Sequence, residues 1–354
     1  MNIGIPKELK PFEGRVALSP SACSELISKG HHLYLETSAG NLSGFTDKDY
    51  QQSGVNVCQT PQSLYDSAEL IVKVKEPLDV ELQYLTENHT LFCFLHLAAN
   101  PKLVEQLSAI GLTAVGFESV IDARQAPLLK PMSQIAGRLA VQTAAELLHL
   151  QHGGSGVLLG GLGSGNALTN VDRGQVLVLG AGSAGTQAAL LAQNMGAKVY
   201  VFDHHPAALE AIRTLDKGLH LFSDKAQISP LLATTDVLVG ALLVPGKKAP
   251  HLIKRHHVKM MRAGSVIVDI SVDQGGCIET TQITTYDKPT FVEEGVTHFC
   301  VANMPGAVPR TATQVLSVLL PEYVHRLTKK NWYESDKIMR EAVNLRKGKL
   351  CIDI

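Results

Sequence analysis

Along the first 130 residues, short apolar runs alternate with stretches whose apolar positions recur at helical spacing. "HHLYLET", "LIVKVKEP", "TLFCFLHLA" and "TAVGFESV" read as strands, and "SPSACSELISKG" and "NPKLVEQLSAIG" between them read as helices. Such alternation predicts an open, largely parallel sheet covered on both faces. In "PMSQIAGRLAVQTAAELLHL", Ile135, Leu139, Ala140, Ala144, Leu147 and Leu148 share one helical face, Pro131 stops the preceding segment, and Ser133 is placed to cap. This predicts a helix connecting two domains. The glycine-rich "HGGSGVLLGGLGSGNALTNVDRG" reads as a surface loop. A second series of strands follows at "QVLVLGA", "KVYVFD", "DVLVGALL" and "SVIVDISVD", with "THFCVANM" a further candidate. From Arg310 the pattern "RTATQVLSVLLPEYVHRLTKK" is helical again, with Pro321 predicted to kink or interrupt it. The expected organisation is an α/β protein that leaves a first domain (1–130), builds a second (131–305) and returns to the first (306–354).

The second domain opens on the most informative stretch. Gly180, Gly182 and Gly185 satisfy G-x-G-x-x-G directly after an apolar strand and at the start of a helix. The first glycine permits a tight turn, the second lets a pyrophosphate approach the backbone, and the third lets helix and strand pack closely, while the helix N-terminus offers unpaired N–H groups. Asp203 ends the next strand at the expected spacing, where its carboxylate can accept both ribose hydroxyls and repel a 2′-phosphate. His204 and His205 follow rather than an arginine, which favours NAD over NADP. The alternative is a purely structural turn with Asp203 opening the next loop.

Four other residues are candidates for chemistry, each with a plainer reading. Lys75 lies on the same strand face as Lys73, before a Glu-Pro stop, and by itself reads as a solvated edge. His96 ends "LFCFLH" where a strand passes into a helix; it reads as a structural histidine or as a proton shuttle. Asp273 stands at the carboxyl end of a strand, the edge where open α/β sheets bind ligands, although a cap or turn role competes. Arg15 lies in a loop and reads locally as surface. No nucleophile triad, Walker A motif or H-E-x-x-H helix is present.

Bulk properties narrow the classes. A chain of 354 residues exceeds the roughly 300 at which single cores stop growing. Its 32 basic and 33 acidic residues, net charge -1, make no electrostatic case for nucleic acid or an anionic membrane. The six cysteines are scattered, without zinc spacing, so reduced thiols and no metal are expected. "MNIGIPKELK" lacks a signal-peptide core, and no apolar run reaches the ~20 residues of a spanning helix, so a cytoplasmic protein without a membrane partner is expected.

Several segments, in order along nearly the whole chain, resemble the L-alanine dehydrogenase family, which is related to the nucleotide-binding subunit of proton-pumping transhydrogenase. They are "IGIPKE", "RVALSP", "KVKEP", "FLHLAA", "PMSQIAGR", "GAGSAG", "LVPGKKAP", "VDISVDQGG" and "VANMPGAVPRT". The resemblance implies a Rossmann-type NAD domain inserted into a split α/β substrate domain. It implies that Arg15 and Lys75 hold the carboxylate and carbonyl of pyruvate and that His96 and Asp273 are the catalytic acid/base pair. It places Ser133, Ser183 with Ala184 in the glycine turn, Asp203, Leu242, Leu243, Ile270, Ser271, Val272, Asp273, Val301, Ala302, Asn303 and Met304 against NAD. The implied substrates are L-alanine, pyruvate and ammonia, and the implied assembly is a homo-oligomer, most often a hexamer. "HHPAA" at 204–208 lacks a lysine that some members carry, Gln282 stands in place of an arginine, and the tail "GKLCIDI" is short. Two other functions remain open at this level: a transhydrogenase-type NAD-binding subunit, and a dehydrogenase of the lysine or saccharopine type.

Overall fold

In the computed structural model, which describes residues 1–162, 171–242 and 251–352, the strands follow one another along the chain in three groups. The first comprises β1 (Asn2–Ile5), β2 (His32–Glu36), β3 (Asn56–Cys58), β4 (Leu70–Val72), β5 (Thr90–Cys93) and β6 (Thr113–Gly116). Next come β7 (Gln175–Leu179), β8 (Lys198–Phe202), β9 (His220–Phe222), β10 (Val237–Gly240), β11 (Val266–Asp269), β12 (Thr290–Glu293) and β13 (Val296–Phe299). The chain then adds β14 (Val343–Arg346) and β15 (Lys349–Leu350). Two compact units result: residues 1–132 with 305–354, and residues 133–304.

Both units share one strand order. In the first unit the order is β15-β14-β6-β5-β4-β1-β2-β3, parallel from β6 to β3, with β14 and β15 antiparallel at the edge. In the second unit the order is β12-β13-β11-β10-β7-β8-β9, with β12 alone antiparallel. The parallel parts both run 3-2-1-4-5-6 in order of appearance, the doubly wound arrangement whose switch point between strands 1 and 4 receives ligands. That point falls between β1 and β4 in the first unit and between β7 and β10 in the second.

Local sequence explains where several helices begin. Ser19, Thr60 and Asn100 each cap a helix whose next residue is proline, at Pro20–Ser28, Pro61–Ser67 and Pro101–Ile110. Proline is tolerated there because the first helical N–H has no partner to lose. The helix Leu129–Leu147 corrects two expectations: Pro131 lies in its first turn and does not stop the chain, and Ser133 is its fifth residue and does not cap it. The helix Pro309–Leu327 likewise continues through a buried Pro321, so no interruption occurs.

The β7 residues are buried on both faces. Val176 and Val178 pack with Ala188, Ala189 and Ala192 of the helix Ser183–Asn194, while Leu177 and Leu179 pack on the other side with Ile228, Leu238 and Ile267. The strand pleat sends alternate residues to opposite layers. In the first unit Leu91, Cys93, Ala114 and Leu345 meet Leu64, Leu103 and Leu107, so the returning tail completes this core. The return was expected to be helical; it also contributes two strands, with a register shift between Val343 and Leu345. Among the described residues, no helix is long and apolar enough to cross a membrane.

Candidate functional site

In the first unit, Arg15, Lys75 and His96 all follow the carboxyl ends of parallel strands. Arg15 lies on the loop after β1 and is 2% exposed, which corrects the surface reading. Its Nε donates to Glu13 Oε1 at 2.7 Å and its terminal nitrogen to Oε2 at 2.5 Å; its backbone N–H donates to the same carboxylate at 3.0 Å. This is a bidentate pair, the strongest geometry a guanidinium makes. The other terminal nitrogen lies 3.4 Å from Met132 Sδ.

β4 ends at Val72, so Lys73 and Lys75 lie beyond the strand. The solvated-edge reading fails for both. Lys73 is 1% exposed and is held by Glu81 at 2.7 Å. The Lys75 ammonium is mostly buried, 3.8 Å from Glu76. Burial, then Lys10 and Arg15, hold it below the usual lysine range, against the opposing pull of Glu76 and Glu13.

His96 has φ 46° and ψ 41°, a left-handed conformation, where the chain turns after β5 into Leu97–Ala99. Glu118, just past β6, fixes that turn. Its carboxylate accepts the backbone N–H of Leu95 at 3.1 Å and of His96 at 2.7 Å, and its Oε1 stands 4.0 Å from His96 Nδ1. The imidazole is half-exposed and lies parallel to the Phe94 ring, with centroids 5.8 Å apart. A non-glycine residue in this backbone region persists only where its surroundings over-determine it.

In the second unit the glycine turn can be tested against a dinucleotide. Gly180 has φ +108°, and a Cβ there would lie 2.6 Å from the Ala241 carbonyl oxygen. A Cβ on Gly185 would fall 1.8 Å from the Gly180 carbonyl oxygen, so that glycine brings helix onto strand. A Cβ on Gly182 would meet nothing within 4 Å. That open space lies at the N-terminus of the twelve-residue helix Ser183–Asn194, where a pyrophosphate would approach the backbone. Ser183 and Ala184 are the first helical residues and are part-exposed. The residues present therefore fit NAD. A residue not singled out from sequence, Gly137 in the helix Leu129–Leu147, lets that helix pack against the start of the helix Ser183–Asn194: its Cβ would fall 2.1 Å from the Ala184 carbonyl oxygen.

Asp203 is buried, and its carboxylate accepts the N–H of Ala181 at 2.7 Å and of His205 at 2.8 Å. It thereby ties β8 to the glycine turn and retains the lone pairs that two ribose hydroxyls need. Asp273 is exposed, on the short turn Val272–Gln274 after β11. Asp269, at the end of β11, is fully buried and organises that turn. Its Oδ1 accepts the Ser271 N–H at 3.0 Å and hydroxyl at 2.8 Å, and its Oδ2 accepts the Thr281 hydroxyl at 2.9 Å. Burial raises its carboxyl above the usual range despite these bonds. Ile270 donates its N–H to Gly240. Val301, Ala302, Asn303 and Met304 follow β13, with Asn303 at φ 65° and the Met304 carbonyl accepting from the Tyr286 hydroxyl at 3.0 Å. Leu242 packs on the core behind β10, and Ser133 lies in the helix Leu129–Leu147. Leu243 lies outside the described residues.

Sequence reading missed Glu13, Glu118 and Asp269, the carboxylates that orient the candidate residues. Only Asp269 carried a signal, as an acid closing the apolar run "SVIVD".

Comparisons with known proteins bear on both units. The N-terminal domain model of the alanine dehydrogenase/PNT family matches residues 4–136, and its C-terminal domain model matches residues 140–353. The chain is 42% identical to the alanine dehydrogenase of Bacillus subtilis (strain 168), over 98% of this chain and 90% of that protein. A solved L-alanine dehydrogenase superposes with a TM-score of 0.93 at 45% identity, over 99% of this chain and 96% of the other. A transhydrogenase from Sinorhizobium meliloti superposes with a TM-score of 0.87 at 25% identity, over 99% and 100%.

Proposed function

The chain belongs to the alanine dehydrogenase/PNT family, and from that premise we propose that it catalyses the NAD-dependent oxidative deamination of L-alanine to pyruvate and ammonia, reversibly. The observation that carries this reading is the 42% identity to an alanine dehydrogenase over 98% of the chain, supported by Arg15, Lys75 and His96 at the carboxyl ends of strands in one sheet and by a glycine turn that fits a dinucleotide. NAD, when bound, supplies the acceptor for the hydride on the substrate's Cα. Gly180, Gly182, Gly185 and the N–H groups from Ser183 onward would hold its pyrophosphate, and Asp203 its ribose.

The protein's own residues bind the substrate and move its protons. The Arg15 guanidinium, locked by Glu13, and the Lys75 ammonium hold the substrate's carboxylate and carbonyl oxygen. His96 takes the proton leaving the amine, and with Asp273 moves protons as water adds to the imine carbon and ammonia departs. In the amination direction ammonia must attack as the free base, so that direction quickens with alkaline pH.

The test is a steady-state panel of small and large amino acids with the purified chain and NAD. Alanine-dependent NADH formation well above that with serine, glycine or lysine supports the reading. NAD binding without turnover of any amino acid would favour a transhydrogenase-type carrier, whose fold this chain shares. Preference for lysine would favour a larger-substrate dehydrogenase.

A further inference from the structure

Glu8, on the loop after β1, is buried and has no part in the roles assigned above. Its Oε1 accepts the backbone N–H of Val74 at 2.6 Å and of Lys75 at 3.3 Å. Its Oε2 is buried, accepts no hydrogen bond among the described residues, and lies 3.6 Å from the Lys73 ammonium. Lys73 donates in turn to Glu81 Oε1 at 2.7 Å, and Glu81 Oε2 accepts the backbone N–H of Leu78 at 2.8 Å. Two carboxylates therefore grip the stretch from Val74 to Leu78 at either end, with one ammonium between them.

Fully ionised, this trio would carry one uncompensated negative charge in the interior, which a low-dielectric environment disfavours. Glu8 is where a proton would settle, because one of its oxygens has only the distant ammonium for company. Burial pushes its carboxyl up to about 7, opposed by Lys73 and reinforced by Glu13 and Glu81. The charged groups around it are Lys73 past β4, Glu13 on its own loop and Glu81 on the helix Asp79–Leu82; Glu36 at the end of β2 faces Lys73 and Glu81. The charges that face the Lys75 ammonium are instead Glu76, Lys10, Arg15 and Glu13. Glu8 thus reaches Lys75 through its backbone.

We propose that Glu8 is a positioning residue for Lys75: ionised, it clamps the Val74–Lys75 backbone; protonated, it releases that clamp, so that capture of the substrate's carboxylate weakens as pH falls through neutrality. Hydrogen bonds to an ionised acceptor are roughly twice as strong as those to a neutral one, which gives the two states different grips. The inference rests on the reading that Lys75 holds substrate.

Two measurements test it separately. The first needs only the wild-type protein without substrate: hydrogen exchange of the peptide spanning Val74 and Lys75, corrected for intrinsic rates, between about pH 6 and about pH 8. Protection should fall several-fold toward the acid end, and flat protection overturns the clamp. The second is the KM for pyruvate in wild type and Glu8→Gln over the same range. In wild type KM should rise several-fold toward acid while kcat follows its own profile; in Glu8→Gln KM should be high throughout and lose most of that dependence. An unchanged pH dependence of KM in Glu8→Gln overturns the link to substrate. If wild type turned over no pyruvate, the proposed function would fail with that link, and the exchange measurement alone would decide the clamp.

Discussion

Adding one methyl group at either of two glycines should disturb the ligand-free structure at one and leave it unchanged at the other, with the same functional consequence at both. In Gly185→Ala the new Cβ would start 1.8 Å from the Gly180 carbonyl oxygen, against the 3.0 Å below which real Cβ contacts essentially vanish. The start of the helix Ser183–Asn194 must therefore retreat from β7 by about 1.2 Å. Overpacking of this kind costs about 1–3 kcal/mol, and a unit of this size loses about 2–4 °C of Tm per kcal/mol. The retreat also withdraws the N–H groups that would face pyrophosphate. Losing one charge-assisted hydrogen bond, about 1.5–3 kcal/mol, weakens Kd roughly ten- to hundredfold. In Gly182→Ala the added Cβ meets nothing within 4 Å, so the ligand-free protein should unfold at the wild-type temperature. That methyl would instead occupy the space a pyrophosphate needs, and NADH affinity should fall comparably. Thermal unfolding without ligand and NADH fluorescence titration read the two effects independently. Wild-type NADH affinity in Gly182→Ala would refute the assignment of this turn to the cofactor, and an unaltered Tm in Gly185→Ala would refute the packing argument.

Other expectations concern the first unit. His96→Ala should lower alanine turnover by ~10²–10⁴, the usual worth of a positioned acid/base, with NADH affinity nearly unchanged; near-normal turnover would remove His96 from the mechanism. Glu13→Gln leaves a buried guanidinium without its counter-charge, and breaking such a pair costs about 3–5 kcal/mol, measurable by denaturant titration. His31 and His325 hydrogen-bond at 3.1 Å. Burial holds both below the usual histidine range; the N-terminal amine, Lys29 and His32 add to this at His31, and Lys29 and Lys329 at His325. Because the folded state binds these protons more weakly than the unfolded chain, their stabilisation is present above ordinary histidine pKa values and is lost as pH falls through the depressed ones. Thermal unfolding from near-neutral to mildly acid pH should show that loss, and His325→Gln should flatten it.

Much of this protein is written in short-range pattern. The parallel α/β class, the glycine turn with its acid one strand later, and the proline-led helices follow from periodicity and capping, which act over a few residues and are visible without coordinates. What pattern could not show is how each charge is answered. "EGR" does not announce that Arg15 is buried and clasped by Glu13, and alternation in "LIVKVKEP" makes Lys73 look solvated although Glu81 and Glu8 enclose it. Glu118 grips His96 across a neighbouring strand end, and β14 joins a sheet begun more than two hundred residues earlier. Periodicity and capping are properties of adjacent residues, whereas burial and charge pairing depend on which distant segments the sheet brings side by side. The kind of fold and the presence of a glycine turn between strand and helix were therefore determined by sequence alone, and the environment of every charged candidate was decided by tertiary structure.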